Sequence, residues 1–331
     1  MIELAGVTKR YGEKVVVDDL TFTVRPGCVT GFLGPNGAGK STTMRMMLGL
    51  DRPAAGTVLI DGRPYAALEE PLRHVGALLD ARAMHEGRSA YQNLRCLALS
   101  NRIPLSRVDE VLDEVGLTSV ARKRSKGFSL GMGQRLGIAA ALLGDPRIVM
   151  LDEPVNGLDP EGIHWVRTLM KDLAAQGRTV FVSSHLMSEM ALTADHLVVI
   201  GRGKLLADTG MQEFIDDNSR SVVRIRTPEP EKLRDALSAE GIDVEERPEG
   251  VFEVSGEPVE RLGALAFEHQ VPLHELSPQH ASLEEAFIKL TGESAEYRTG
   301  PLAAAPAPAA VPAADADDGD RAAAQPTGTE S

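Results

Sequence analysis

Apolar residues recur along this chain in two rhythms. Short, β-branched runs at Val15–Val17, Thr21–Val24, Cys28–Leu33, Thr57–Ile60, Val75–Leu79, Ile148–Leu151, Val180–Ser183 and Leu197–Ile200 read as strands. Stretches with helical spacing lie between several of them. In residues 161–176, Ile163, Val166, Leu169 or Met170, and Leu173 return every three or four positions, which predicts an amphipathic helix. Strand–helix alternation up to about residue 212 predicts an α/β domain with a largely parallel core sheet.

The rhythm changes after residue 220. Val222–Ile225 reads as a strand, Glu231–Ala239 as a helix, and Val244–Glu246 with Val251–Val254 as a hairpin. Glu257–Glu268 then reads as a helix and Val271–Leu276 as a strand. That order, β-α-β-β-α-β, predicts a small ferredoxin-like α+β domain over residues 220–292. Its last helix would start at the capping box Ser282-Leu283-Glu284-Glu285 and carry Leu283, Ala286, Phe287 and Leu290 on one face. Residues 299–331 are Ala-, Pro- and Asp-rich and lack aromatics, so a disordered tail is expected there.

Composition narrows the function. The chain has 331 residues, 43% hydrophobic and 25% charged, as a largely globular protein has. Its net charge of −13 argues against nucleic acid as a partner, because phosphate backbones require a basic face. The two cysteines, Cys28 and Cys96, have no metal-type spacing and fit a reducing compartment. Met1-Ile2-Glu3-Leu4-Ala5 places an acid early and no apolar run follows, so no secretory leader is expected. The longest apolar stretch, near Ile138–Leu143, is far short of the roughly 20 residues that cross a bilayer.

Gly34-Pro35-Asn36-Gly37-Ala38-Gly39-Lys40-Ser41 fits G-x-x-x-x-G-K-[ST], between a predicted strand and a helix that opens at Thr42. Glycines let backbone N–H groups turn inward around phosphate oxygens, and the helix N-terminus adds partial positive charge. Lys40 supplies a full charge to the β- and γ-phosphates, and Ser41 offers a hydroxyl to Mg²⁺. A second element supports this. The apolar run Ile148–Leu151 ends in Asp152 and Glu153, and strand ends are where α/β sheets place their sites. Asp152 can hold Mg²⁺ through water, and Glu153 can polarise an attacking water.

From residue 1 to about 212 the motifs together resemble the ATP-binding subunits of ABC transporters. Phe128-Ser129-Leu130-Gly131-Met132-Gly133-Gln134-Arg135 stands where that family has its signature L-S-G-G-Q-x-Q-R. Ser129, Gly131, Gln134 and Arg135 match, whereas Phe128, Leu130 and Met132 depart, a variant similar to bacterial antibiotic-export and self-resistance ATPases. Asn156-Gly157-Leu158-Asp159 resembles the D-loop, and Ser183-Ser184-His185 the switch histidine. Tyr11 matches the aromatic that stacks on adenine. The family's glutamine after a strand is replaced by Asp80, which the resemblance would place facing the nucleotide.

The resemblance implies a P-loop NTPase fold of the ABC ATPase type, a mixed core sheet with a helical subdomain at about 85–140. It implies an ATP hydrolase that uses ATP and Mg²⁺, with Glu153, His185 and Lys40 catalytic and Ser41 and Asp152 at the metal. Gly34–Ser41 with Thr42, Tyr11, Asp80, Ser129, Gly131 and Asp159 would bind the nucleotide. Two such subunits would close head to tail on two ATP molecules, as a homodimer or heterodimer. A transmembrane permease on a separate chain would hold them at the cytoplasmic face of the membrane. The variant signature points toward export of a drug-like or amphipathic compound. The rival reading is a soluble ABC-type ATPase acting on DNA or the ribosome. Against it, the interval from Ser41 to Phe128 has neither a long coiled coil nor zinc cysteines, and only one cassette is present.

Overall fold

The computed structural model describes residues 1–218, 222–247, 250–279 and 282–291. The disordered tail expected over residues 299–331 lies outside the described residues. The chain opens with β1 (Ile2–Tyr11) and β2 (Lys14–Val24), which pair antiparallel; β1 also pairs with β4 (Ala55–Ile60). Two predicted strands, Val15–Val17 and Thr21–Val24, are thus one strand. Asp18 and Asp19 break its alternation, and the ladder shifts register opposite them, with Asp19 at φ +54°.

The core sheet has the order β5-β6-β7-β3-β8-β9. Its strands are β3 (Val29–Leu33), β5 (Val75–Leu78), β6 (Ile148–Asp152), β7 (Thr179–Ser183), β8 (His196–Gly201) and β9 (Lys204–Gly210). All pairings are parallel except β8 with β9. Every residue of β3 and β7 is buried, which is why these segments read as continuous apolar runs. One face of the sheet packs Phe32, Met150 and Phe181, with Phe22 stacked on Phe181, against helix α1 (Lys40–Met47). The other packs Leu33, Leu151 and Val182 against the remaining helices of the domain.

Those helices include α2 (Ala90–Ser100), α3 (Ser106–Glu114) and α4 (Leu130–Leu142), which build the expected helical region. Gln92 belongs to α2, where it forms a reciprocal capping box with Ser89. Helix α5 (Pro160–Ala175) follows β6, and the short α6 (Met187–Ala191) follows β7.

After α7 (Met211–Asn218) the chain forms β10 (Val222–Arg226), α8 (Pro230–Ala239), β11 (Val244–Arg247), β12 (Val251–Ser255), α9 (Val259–Glu268) and β13 (Glu275–Gln279). The strands make an antiparallel sheet of order β11-β12-β10-β13 around a separate core containing Ile225, Leu237, Phe252 and Leu262. β13 begins four residues later than Val271, which instead turns into this core. The final helix, α10 (Leu283–Thr291), leaves the small domain. Leu283, Ala286 and Phe287 join the nucleotide-domain core that also holds Met190 and Phe214. No described helix is long and apolar enough to cross a membrane.

Candidate functional site

The phosphate loop, the acid pair and the switch segment stand at the C-terminal ends of β3, β6 and β7, which are neighbours in the sheet. The loop's turn depends on Gly37 and Gly39, at φ +81° and +106°. A β-carbon at Gly39 would also lie 2.9 Å from the Val16 carbonyl oxygen, so only glycine fits. Residues Asn36–Thr42, Asp152 and Glu153, with Val16 and Leu79, line one open cleft of about 390 Å³.

Lys40 is 9% exposed, and its ammonium donates to the carbonyls of Gly34 at 2.6 Å and Pro35 at 3.3 Å. Burial lowers its pKa below the ordinary lysine value, against the opposing charges of Glu153 and Asp152. The Ser41 hydroxyl donates to Asp152 Oδ2 at 2.8 Å, and the Ser183 hydroxyl donates to Asp152 Oδ1. Glu153 sits at φ +50° with its N–H on Ser183, and its Oε2 is 2.7 Å from His185 Nδ1. The structure therefore brings Lys40, Ser41, Asp152, Glu153 and His185 together.

Other expected residues stand elsewhere. Tyr11 is half-exposed, outside the cleft lining, with its hydroxyl donating to Asp51 at 3.1 Å. Ser129 and Asp159 serve as helix N-caps, accepting from the N–H groups of Met132 and Gly162. Gly131 faces the D-loop of its own subunit; a β-carbon there would lie 3.1 Å from the Gly157 carbonyl oxygen. Asp80 does not face the cleft as expected. Its carboxylate accepts from the Arg82 N–H at 2.8 Å, capping the turn Ala81–Ala83, while Leu79 lines the cleft. A short acidic side chain at a strand end finds its nearest donor two residues on.

Sequence reasoning missed two polar residues. In sequence Ser183 is only the residue two before the switch histidine, and its parallel register opposite Asp152 reveals its role. Gln134 stands in sequence only as a match to the signature, and in the structure its amide donates to the Glu153 carbonyl at 3.0 Å.

Residues 17–156 match the family described as ABC transporter, and residues 221–284 match a domain of unknown function. The chain is 37% identical to the Nod factor export ATP-binding protein I of Cupriavidus metallidurans, over 88% of this chain and 97% of that one. The chain belongs to the ABC transporter ATP-binding proteins. It is also 36% identical to the bacitracin transport ATP-binding protein BcrA of Bacillus licheniformis, over 88% of this chain and 97% of that one. Among solved structures, an ATP-binding subunit of an ABC transporter superposes with a TM-score of 0.61 at 26% identity, covering 66% of this chain and 92% of that one. As an ABC ATP-binding subunit the protein is an ATP hydrolase that works through a separate transmembrane component. The reading as a DNA- or ribosome-acting ATPase falls away.

Proposed function

We propose that this subunit energises export of an amphipathic compound, with Glu153 activating the hydrolytic water. The observation that carries the catalytic assignment is the shared cleft. Phosphate-loop amides, Lys40 and an acid pair meet there, and Ser41 and Asp152 are already 2.8 Å apart. Lys40 would release its loop carbonyls to hold the β- and γ-phosphates. Ser41 and Asp152 present hard oxygens, which together with phosphate oxygens and water suit Mg²⁺. Bound there, Mg²⁺ would neutralise phosphate charge. Glu153 Oε2 accepts the water proton, and His185 stays within hydrogen-bond reach of that carboxylate.

Tyr11 would stack on the adenine, beside Thr42. Ser129 and Gly131 would complete the γ-phosphate site of a second ATPase subunit, and Asp159 would face that subunit through the D-loop. The permease, a separate chain, would hold both at the cytoplasmic face of the membrane. Export is supported by the relatives named for Nod factor export and bacitracin transport.

The test is Glu153→Gln. It is expected to bind ATP with near wild-type affinity, hydrolyse it at least 100-fold more slowly, and accumulate an ATP-bound dimer on size exclusion. Full turnover by this variant would remove Glu153 from the chemistry.

A further inference from the structure

Glu153 is gripped from three directions, one of which is the helix that carries the signature. At φ +50° it occupies the left-handed region, where a residue with a β-carbon stays only if its surroundings hold it. Its N–H donates to the Ser183 carbonyl at 3.2 Å and lies 3.1 Å from the Ser183 hydroxyl. Its carboxylate meets His185. Its carbonyl precedes Pro154, which has no N–H, so the carbonyl oxygen is the single polar handle on that peptide unit.

Among the described residues two donors reach this oxygen. The Asn156 N–H, at 3.3 Å, closes the local turn and moves with it. Gln134 Nε2, at 3.0 Å, comes from α4 and is the one partner from outside that turn among the described residues. Gln134 is 4% exposed, so water does not compete well for its amide. Helix α4 starts at its N-cap Ser129. At 1.5 Å per residue, the signature end and Gln134 are separated by roughly 7.5 Å of one rigid helix.

We infer that Gln134 is a positioning residue for Glu153, and that through it a movement of the signature end of α4 sets the orientation of the hydrolytic carboxylate. The inference rests on Glu153 acting as the base. Gln134 is not among the residues that line the cleft; it acts on the backbone from which the carboxylate hangs. Without the amide, the 153–154 peptide unit can turn about its flanking bonds. Misplacement of a reacting group by about 1 Å costs on the order of 10²-fold in rate.

The experiment is a double-mutant cycle on the full chain. Gln134→Met keeps the length of the side chain and removes the donor. It is expected to lower kcat by about ten- to a hundredfold, with KM for ATP and melting temperature close to wild type. In the Glu153→Gln background the same substitution is expected to leave the residual rate unchanged, because no base remains to be misplaced. An equal fold-loss in both backgrounds would mark a general structural role and overturn the inference. So would an unchanged kcat in Gln134→Met beside an inactive Glu153→Gln. Full turnover by Glu153→Gln alone overturns the base assignment, and this inference with it. Should Gln134→Met fail to fold, Gln134→Glu takes its place. A carboxylate faces the Glu153 carbonyl unfavourably and donates only once protonated, so its deficit relative to wild type is expected to shrink on acidification. A deficit independent of pH would count against a donor role.

Discussion

Replacing Lys40 by methionine separates nucleotide binding from folding, because the ammonium is buried yet aimed at the cleft. Methionine can follow the path of the lysine stem, which is 9% exposed, while the charge disappears. A charge-assisted hydrogen bond is worth about 1.5–3 kcal/mol, and Lys40 is placed to serve two phosphates, so a loss of about 3 kcal/mol is expected. That corresponds to a Kd weaker by roughly 150-fold. Linkage converts it into a melting experiment. At ATP equal to 100 times the wild-type Kd, binding stabilises the wild type by about 2.7 kcal/mol; the variant, near or below its own Kd, gains only about 0.3 kcal/mol. At about 2 °C per kcal/mol, appropriate to a domain of this size, the ATP-induced rise in Tm falls from about 5 °C to under 1 °C. Differential scanning calorimetry with and without ATP reads this directly. An ATP-induced rise in the variant equal to that of the wild type would refute the cradle assignment.

The same substitution has a pH signature. Burial depresses the Lys40 pKa below 10.5, so the charged lysine penalises folding; the penalty is complete below the folded-state pKa and vanishes above the ordinary one. ATP-free Lys40→Met is therefore expected to compare best with wild type at neutral pH and to lose ground as pH rises through that window, measured by urea unfolding; a trend of opposite sign would refute it. Asp80→Asn is expected to leave the curve of ATPase rate against free Mg²⁺ superimposable on wild type, since that carboxylate caps a turn, and a displaced curve would return Asp80 to the metal. Phe287→Ala is expected to cost about 3 kcal/mol of nucleotide-domain stability, because α10 packs its ring into that core. A loss below about 1 kcal/mol on urea denaturation would show that α10 is not anchored there.

The phosphate loop could be read without a structure because it is built from contiguous backbone. Gly34–Ser41 carry the amides, the left-handed turns and the cation within eight positions, and the flanking strand and helix show in local apolar spacing. Asp152 and Glu153 were legible for the same reason, as acids ending an apolar run that proved to be a central strand. The β-α-β-β-α-β order after residue 220 could likewise be followed from local rhythm, and the sheet order β11-β12-β10-β13 is what that order can build. The strands missed were β1 and β9, whose partly exposed, polar-interrupted residues show no clean alternation and are held by their neighbours in the ladder. The destination of α10 was invisible because its apolar face fits two cores equally well in sequence; packing on Met190 and Phe214 decided between them. Where the Asp80 carboxylate turns is not legible in sequence, because a strand-end position does not fix a side chain's direction; in the structure it accepts from the Arg82 N–H. Ser183 and Gln134 reach the acid pair across 31 and 19 residues. Local pattern thus determined which residues could do the chemistry, and long-range pairing alone decided which groups hold them in place, because a hydrogen bond between distant segments leaves no periodicity in either one.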